Sequence, residues 1–213
     1  ALLSHLSERE TVERCEVAGS IRRWKDTVGD VDVLAASEDS EAVVEAFTDW
    51  ERVEDVIEAG AHKASVRAGG GVRLDLRVVV PDEFGSALQY FTGSKDHNVA
   101  LRNYALDREI KLNEYGAFDI SEVDDPDADQ RVGERIGGTT EESMYEALGL
   151  PQMPPEIRQG TGEIEAAAEN GLPDLLEEGD VRGDLHTHSD WSDGGYPIEE
   201  MIAAAADFGH EYL

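Results

Sequence analysis

The stretch GSIRRWKDTVGDVDVL, residues 19–34, decides the fold. Its last five residues alternate polar and apolar side chains, as a half-buried β-strand does. Because side chains two residues apart on a strand share one face, Asp30 and Asp32 project together while Val31 and Val33 point into the core. Gly29, just before the pair, permits a close approach of the backbone. The stretch therefore predicts a strand with two carboxylates on its polar face.

A second alternating segment, RLDLR at 73–77, places Asp75 on one face together with Arg73 and Arg77. Segments 63–67 and 72–80 flank three glycines at 69–71 and predict a hairpin. If this strand lies beside the first, three carboxylates converge, and their repulsion raises the pKa of at least one of them. Two Mg²⁺ ions would relieve that repulsion, and a two-metal site supports in-line phosphoryl or nucleotidyl transfer.

The Asp-x-Asp pair also fits an exposed strand face, because the whole chain is rich in acidic residues. The Gly19-Ser20 pair upstream favours the metal site over that alternative. A Gly-Ser turn offers backbone N–H groups and a hydroxyl to phosphate oxygens, and Arg22 and Arg23 neutralise the charge that remains. Together these residues predict a site for a phosphate-bearing ligand beside the carboxylates.

These segments resemble the palm of the family X DNA polymerases, the DNA polymerase beta-like group. RLDLR resembles the strand that carries the family's third metal aspartate. YFTGS at 90–94, followed by Asn98, Arg102 and NEY at 113–115, resembles the family's thumb. The match spans residues 10–118, with the motifs in the family's order. It implies a mixed α+β fold and a DNA-directed DNA polymerase that adds dNMP to a primer 3′-hydroxyl in gap-filling repair.

The resemblance also implies a role for each matched residue. Asp30 and Asp32 hold two Mg²⁺ or Mn²⁺ ions, and Asp75 binds the catalytic one. The residues implied for the incoming dNTP are Gly19, Ser20, Arg23, Gly29, Tyr90, Phe91, Gly93 and Asn98. The residues implied for gapped or primed DNA are Arg73, Arg102, Glu114 and Tyr115. Two alternatives stay open: a nucleotidyltransferase with another acceptor, such as RNA or a small molecule, and a non-catalytic fragment that binds DNA or nucleotide.

A second cluster lies near the C-terminus, in GDLHTH at 183–188 and SDG at 192–194. A His-x-His at the end of a strand over 181–188 is common in transition-metal sites. The cluster resembles the opening of the polymerase-and-histidinol-phosphatase (PHP) domain, and PPEIR at 154–158 resembles the linker before it in bacterial and archaeal members. The resemblance implies Zn²⁺ or Mn²⁺ at His186, His188 and Asp193, and a 3′–5′ exonuclease. Because few residues of that domain are present, we expect no competent site from them alone.

The domain organisation that follows is a nucleotidyltransferase palm at 1–81 with a mixed sheet and flanking helices. A small α/β thumb at 82–150 and a linker at 151–181 come next. Residues 182–213 begin a PHP (β/α)-barrel. Family members carry helical domains before the palm, so the chain is expected to be a piece of a longer polymerase, truncated at both ends.

The chain's 213 residues carry 48 acidic and 18 basic side chains, a net charge of −30. Taken whole, that charge argues against nucleic acid, because phosphates are bound by lysine and arginine. Residues 62–114, however, contain eight basic and seven acidic side chains, whereas residues 115–213 contain four and 25. An acid surplus with only four lysines is typical of halophilic organisms with molar internal salt, where the Debye length is about 3 Å. The acidity is therefore interpreted as an adaptation of the solvent-facing surface, and the near-neutral central segment as a catalytic strip.

The remaining sequence signals concern location. A single cysteine, Cys15, permits no internal disulfide and indicates a reducing cytoplasm. No apolar run is long enough for a membrane span, and residues 1–10 have no signal-peptide core. We therefore expect a cytoplasmic monomer with no membrane partner.

Overall fold

The computed structural model describes residues 1–213, which form two compact units, Ala1–Leu172 and Pro173–Leu213. The first unit contains a five-stranded mixed sheet. Its strands are β1 (Arg14–Val17), β2 (Asp30–Ala36), β3 (Val53–Ala59), β4 (Lys63–Ala68) and β5 (Val72–Val79). They lie in the order β1-β2-β5-β4-β3. Only β2 and β5 pair in parallel, and every other neighbouring pair is antiparallel.

The parallel pairing of β2 with β5 confirms that the two predicted strands are neighbours. Its register sets Asp30 opposite Arg73 and Asp32 opposite Asp75. Because paired residues of adjacent strands point to the same face, all three aspartates lie on one side of the sheet. The strand periodicity of the sequence therefore fixes which side carries the polar groups.

Helices cover both faces of this sheet. The helices of the first unit are α1 (Leu2–Ser7), α2 (Gly19–Arg22), α3 (Ser40–Thr48), α4 (Phe84–Thr92), α5 (Lys95–Leu106), α6 (Glu141–Glu146) and α7 (Glu163–Ala168). On one face, α3 buries Val43 and Phe47 against Val33 of β2. On the other face, α4 buries Phe84 against Leu34. Since β2 is covered on both faces, its end is continuously apolar, while its start keeps the two aspartates.

A smaller antiparallel sheet follows, with strands β6 (Ile110–Asn113), β7 (Gly116–Asp119) and β8 (Glu134–Gly137). Its core includes Leu101 of α5 and Tyr145 of α6. Met153 and Ile164 pack into the same core, although they lie in the segment predicted as a linker. The first compact unit accordingly runs to Leu172. The division into palm, thumb and linker stays a prediction.

A buried ion cluster joins α2 to α6 within the first unit. Glu141 accepts two hydrogen bonds from Arg22, at 2.7 and 2.9 Å, and one from Arg158, whose side chain is 0% exposed. Burial alone would raise the pKa of Glu141, but the hydrogen bonds from the two arginines outweigh it and lower the pKa from 4.5 to about 2. The carboxylate is therefore ionised at neutral pH.

This lowered pKa predicts how acid affects stability. Between pH 4.5 and about 2, the unfolded chain binds the Glu141 proton more readily than the folded chain does. The stabilisation is thus complete above pH 4.5 and is lost as the pH falls through about 2. Urea unfolding from pH 6 to pH 2.5 should show a steeper loss of unfolding free energy for the natural chain than for Glu141→Gln. Parallel pH profiles for the two proteins would contradict this assignment.

The second unit, residues 173–213, contains one α-helix, α8 (Ile198–Asp207). The strand predicted at 181–188 is wrong: the segment makes a single isolated bridge, between Gly183 and Tyr212. A strand needs a neighbouring strand for its backbone hydrogen bonds, and this unit supplies none beside the segment. No helix of either unit has the length and apolarity that a bilayer crossing requires.

Candidate active site

One open cavity of about 400 Å³ gathers most of the residues predicted for nucleotide and metal. It lies on the face of β2 that carries the aspartates. The predicted residues that line it are Gly19, Ser20, Arg23, Asp30, Asp32, Tyr90, Phe91, Gly93, Asn98 and Arg102. Gly29 and Asp75 are absent from this lining. Segments separated by 70 residues in the sequence thus meet around two carboxylates.

Gly19 is required because Asp32 lies directly against it. A Cβ atom built at Gly19 would stand 2.0 Å from Asp32 Oδ2, and the Gly19 backbone has a φ of +60°. A side chain here would clash with the carboxylate and strain the backbone. No Cβ contact of this kind exists at Gly29. The predicted close approach therefore occurs at Gly19, and nothing in the packing explains Gly29.

The Asp75 side chain contacts Arg73 on its own strand, β5, and Ser65 on the neighbouring strand, β4. Its Oδ1 accepts hydrogen bonds from Arg73 Nε at 3.1 Å and Arg73 Nη2 at 3.0 Å, and it also accepts one from the Ser65 hydroxyl. No three His, Cys, Asp or Glu side chains form a group that could hold a metal ion. The three aspartates nevertheless share one face of the sheet, and Asp32 and Asp75 line a common cavity. Their joint role as metal ligands stays a prediction, and in this conformation the guanidinium of Arg73 neutralises Asp75.

The electrostatics of the pair on β2 still favour a cation. Burial raises the pKa of Asp32, and the nearby charges of Asp30 and Asp75 raise it further, while Arg23 and Arg73 offset part of the effect. The available donors are all carboxylate oxygens, which are the ligands that Mg²⁺ and Mn²⁺ prefer. The residues present fit a divalent cation, and Asp30 and Asp32 would be its ligands in the cavity.

The two arginines after Ser20 have different positions. Arg22 points away from the cavity and binds Glu141 and, at 2.8 Å, the Thr92 hydroxyl. The prediction that Arg22 neutralises a bound phosphate is therefore wrong, because a buried carboxylate binds it. Arg23 lines the cavity and donates one hydrogen bond to the Thr92 carbonyl. Its Nε is buried and has no hydrogen-bond partner.

The YFTGS segment lies at the end of α4. The Tyr90 and Phe91 rings meet edge to face, with centroids 5.1 Å apart. Gly93 has a φ of +68°, and a Cβ atom there would stand 3.2 Å from Arg23 Nη1. The segment therefore needs glycine at this position so that the backbone can pass close to Arg23. All three residues line the cavity, as predicted.

Asn98 lies deeper than the sequence predicts. Asn98 is only 9% exposed. Its Oδ1 accepts a hydrogen bond from Gln89 Nε2 at 2.9 Å, and its Nδ2 donates one to the Tyr90 carbonyl at 2.7 Å. Part of its hydrogen-bonding capacity is therefore used inside the protein.

The residues predicted for DNA divide into two groups. Arg102, Glu114 and Tyr115 line one cavity of about 610 Å³ together with Tyr90. The Arg102 guanidinium lies 5.9 Å from the Tyr90 ring centroid, and both residues also line the cavity that contains Asp30 and Asp32. Arg73 is separate from them, because it lies on β5 beside Asp75.

The histidine cluster lies in the second unit. The His186 and His188 rings have centroids 5.0 Å apart, and His188 Nδ1 contacts Asp193 Oδ1. The three side chains do not form a three-ligand group for a metal ion. The residues predicted to bind Zn²⁺ or Mn²⁺ are thus near one another without an assembled site.

Comparison with known proteins identifies the relatives of this chain. Residues 87–159 match the family model described as DNA polymerase beta thumb. The chain is 35% identical over 211 residues to the DNA polymerase/3′-5′ exonuclease PolX of Bacillus subtilis (strain 168), an alignment that covers 98% of this chain. The chain belongs to the family X DNA polymerases. It is also 30% identical over 162 residues, 68% of its length, to DNA polymerase lambda of Rattus norvegicus.

This family X chain spans 35% of the length of the Bacillus relative and 28% of the length of the rat relative. The mixed α+β architecture and the family that the sequence predicts are both confirmed. The roles of the individual site residues stay predictions.

Several residues that shape the cavity beside Asp30 and Asp32 were not predicted from the sequence. Ser65 binds Asp75, Thr92 binds both arginines after Ser20, and Gln89 binds Asn98. Glu141 binds Arg22 from a position far along the chain. No periodic pattern marks these residues. Gln89 is the one position with a signal in the sequence, because it follows Ala87 and Leu88 in the apolar helix α4. A polar side chain that is buried there requires a hydrogen-bond partner.

Proposed function

We propose that this chain is the catalytic core of a DNA-directed DNA polymerase that adds dNMP to a primer 3′-hydroxyl in gapped or primed DNA. The observation that carries the proposal is the single cavity that holds Asp30, Asp32, Arg23 and the Tyr90–Gly93 segment. A cavity of this kind offers ligands for a divalent cation, a cationic donor for phosphate and aromatic rings for a nucleoside. The family membership supports the same reaction.

In the proposed reaction, the primer 3′-oxygen forms a bond to the α-phosphorus of dNTP, the bond to pyrophosphate breaks, and the hydroxyl proton is released. Asp30, Asp32 and Asp75 would hold Mg²⁺ or Mn²⁺, which would lower the pKa of the primer hydroxyl and stabilise the leaving pyrophosphate. Asp30 and Asp32 share one strand face, so both carboxylates face the same cavity. Arg23, which lines the cavity, neutralises the triphosphate through its guanidinium charge.

Sugar and base contacts complete the proposed nucleotide site. Tyr90, Phe91 and Gly93 flank the sugar and leave no room for a ribose 2′-hydroxyl. Gly19, Ser20 and Gly29 offer backbone or hydroxyl groups to the triphosphate. Arg102, Glu114 and Tyr115 contact the DNA from the neighbouring cavity, and Arg73 approaches it from the sheet.

The proposal extends to organisation and setting. Residues 1–81 act as palm, 82–150 as thumb and 151–181 as linker, and 182–213 begin a PHP domain with His186, His188 and Asp193 among its Zn²⁺ or Mn²⁺ ligands. In the complete domain these would serve a 3′–5′ exonuclease. The protein works as a monomer in a cytoplasm with molar salt, as its acidic composition favours.

The test is primer extension on a duplex with a one-nucleotide gap, with Mg²⁺ or Mn²⁺ and at several salt concentrations. We expect addition of the templated dNMP, little use of the matching ribonucleotide, and no product after chelation by EDTA. Extension of RNA alone would favour another acceptor. Calorimetric binding of dNTP to the gapped complex without any extension would favour a non-catalytic fragment. Either result would overturn the proposed activity.

The charge distribution predicts a shallow salt dependence of DNA binding. Few cationic side chains face the proposed DNA site, so about three to five phosphate contacts are available, and the slope of log affinity against log salt should be about −3 to −5. Fluorescence anisotropy with a labelled gapped duplex over a range of KCl concentrations measures that slope. A value near −10 would show a much larger cationic surface.

A further inference from the structure

A chain of buried polar side chains lies behind the nucleotide cavity, and the proposed chemistry does not use it. His97 is fully buried between Glu163 and Tyr145. Its Nδ1 lies 2.7 Å from Glu163 Oε1, and its Nε2 lies 3.2 Å from the Tyr145 hydroxyl. Gln89, which binds Asn98, is 4% exposed. Buried polar groups in this number need a defined arrangement of donors and acceptors.

The direction of the chain follows from its carboxylate end. Glu163 is held ionised because His97 and the backbone N–H groups of Gly160 and Thr161 donate to it, which lowers its pKa against the effect of burial. A carboxylate only accepts, so the His97 Nδ1 carries the hydrogen. Burial lowers the pKa of His97, so the ring is neutral and its Nε2 accepts. The Tyr145 hydroxyl therefore donates to His97.

A second buried contact leads to the cavity. Gln89 Nε2 donates a hydrogen to Asn98 Oδ1 at 2.9 Å. The Asn98 carbonyl oxygen is thereby held inside the protein. Its Nδ2 donates one hydrogen to the Tyr90 carbonyl at 2.7 Å and keeps one more hydrogen for a ligand.

We propose that Gln89 is a positioning residue that makes Asn98 a hydrogen-bond donor towards the base of the incoming nucleotide. This inference rests on the proposed function, which places a nucleotide in the cavity that Asn98 lines. All four bases present an acceptor on the minor-groove edge, N3 of a purine or O2 of a pyrimidine. A fixed donor accepts every correct nucleotide, whereas a turned amide would present its oxygen to that acceptor and repel it.

The test compares equilibrium binding of dATP and 3-deaza-dATP, which lacks the N3 acceptor. The protein is the full chain on gapped DNA with a templating thymine, Mg²⁺ and a dideoxy-terminated primer, so that binding is measured without turnover. The natural chain should bind dATP about threefold to tenfold more tightly, the value of one hydrogen bond. In Asn98→Ala and in Gln89→Leu the ratio should fall to about one, and the double variant should show no further loss.

Two further variants keep the result interpretable. Gln159→Leu removes a glutamine amide that bonds only the Glu156 carbonyl, and it should keep the natural ratio. Gln89→Glu keeps the volume but offers only acceptors when ionised, so it should also abolish the preference if Gln89→Leu does not fold. A natural ratio in folded Gln89→Leu or Gln89→Glu, with the ratio lost in Asn98→Ala, would overturn the role of Gln89 alone. A natural ratio in Asn98→Ala would instead overturn the proposed base contact.

Discussion

Asp32→Asn is expected to reduce primer extension by about 10³-fold, because a neutral amide replaces a carboxylate ligand in the proposed two-metal site. The folded chain should not become less stable. Asp32 has a raised pKa from burial and from the charges of Asp30 and Asp75, so removing its charge relieves repulsion. Single-turnover kinetics measure the rate of primer extension, and urea unfolding in EDTA measures the free energy of unfolding.

The matched control for this variant is Asp55→Asn, which changes an exposed carboxylate on β3 away from the cavity. It should leave extension and unfolding unchanged. Loss of activity together with stability in Asp32→Asn would indicate a structural role for the carboxylate. Equal activity in Asp32→Asn and the natural chain would remove Asp32 from the site.

Glu141→Ala should have the largest effect on stability, a loss of about 3–5 kcal/mol in the free energy of unfolding. The substitution leaves the Arg158 guanidinium, which is 0% exposed, without a carboxylate in the protein interior. It also removes the partner that holds Arg22 at the Thr92 hydroxyl. Urea unfolding monitored by circular dichroism measures the loss.

Glu142→Ala is the control, because Glu142 is the exposed neighbour of Glu141 on the same helix. A change within about 0.5 kcal/mol is expected there, as for most surface substitutions. A loss below about 1 kcal/mol in Glu141→Ala would show that water compensates Arg158. Glu141→Met combined with Arg158→Leu should recover most of the lost stability, since a well-packed apolar pair can replace a buried ion pair.

The strands that carry the aspartates could be predicted from the sequence because their signal is local. The alternation of polar and apolar residues in DVDVL and RLDLR predicts which side chains share a face of the sheet. The glycines at 69–71 indicate where the chain turns. That the two strands are neighbours is predicted only as a condition, and their parallel direction is not predicted. Pairing of strands that are distant in the sequence depends on the packing of everything between them.

The conformation of charged side chains could not be predicted in this way. Arg22 and Arg23 are adjacent in sequence, yet one binds a buried glutamate and the other lines the cavity. Asp75 likewise binds Arg73 and Ser65, although it shares a sheet face with the other two aspartates. Each outcome depends on which opposite charge the tertiary fold brings close. A one-dimensional pattern contains no such distances.

The hydrogen bonds between Arg22 and Glu141 join residues that are 119 positions apart. Contacts of that separation form late, because the loop they close is costly in chain entropy. During synthesis, the five-stranded sheet has all its strands once residue 79 has left the ribosome, and the cavity has all its lining residues at residue 102. The ion cluster must wait for Glu141 and Arg158. A nascent chain therefore contains every strand and both cavity aspartates well before it can bury Arg22 against Glu141.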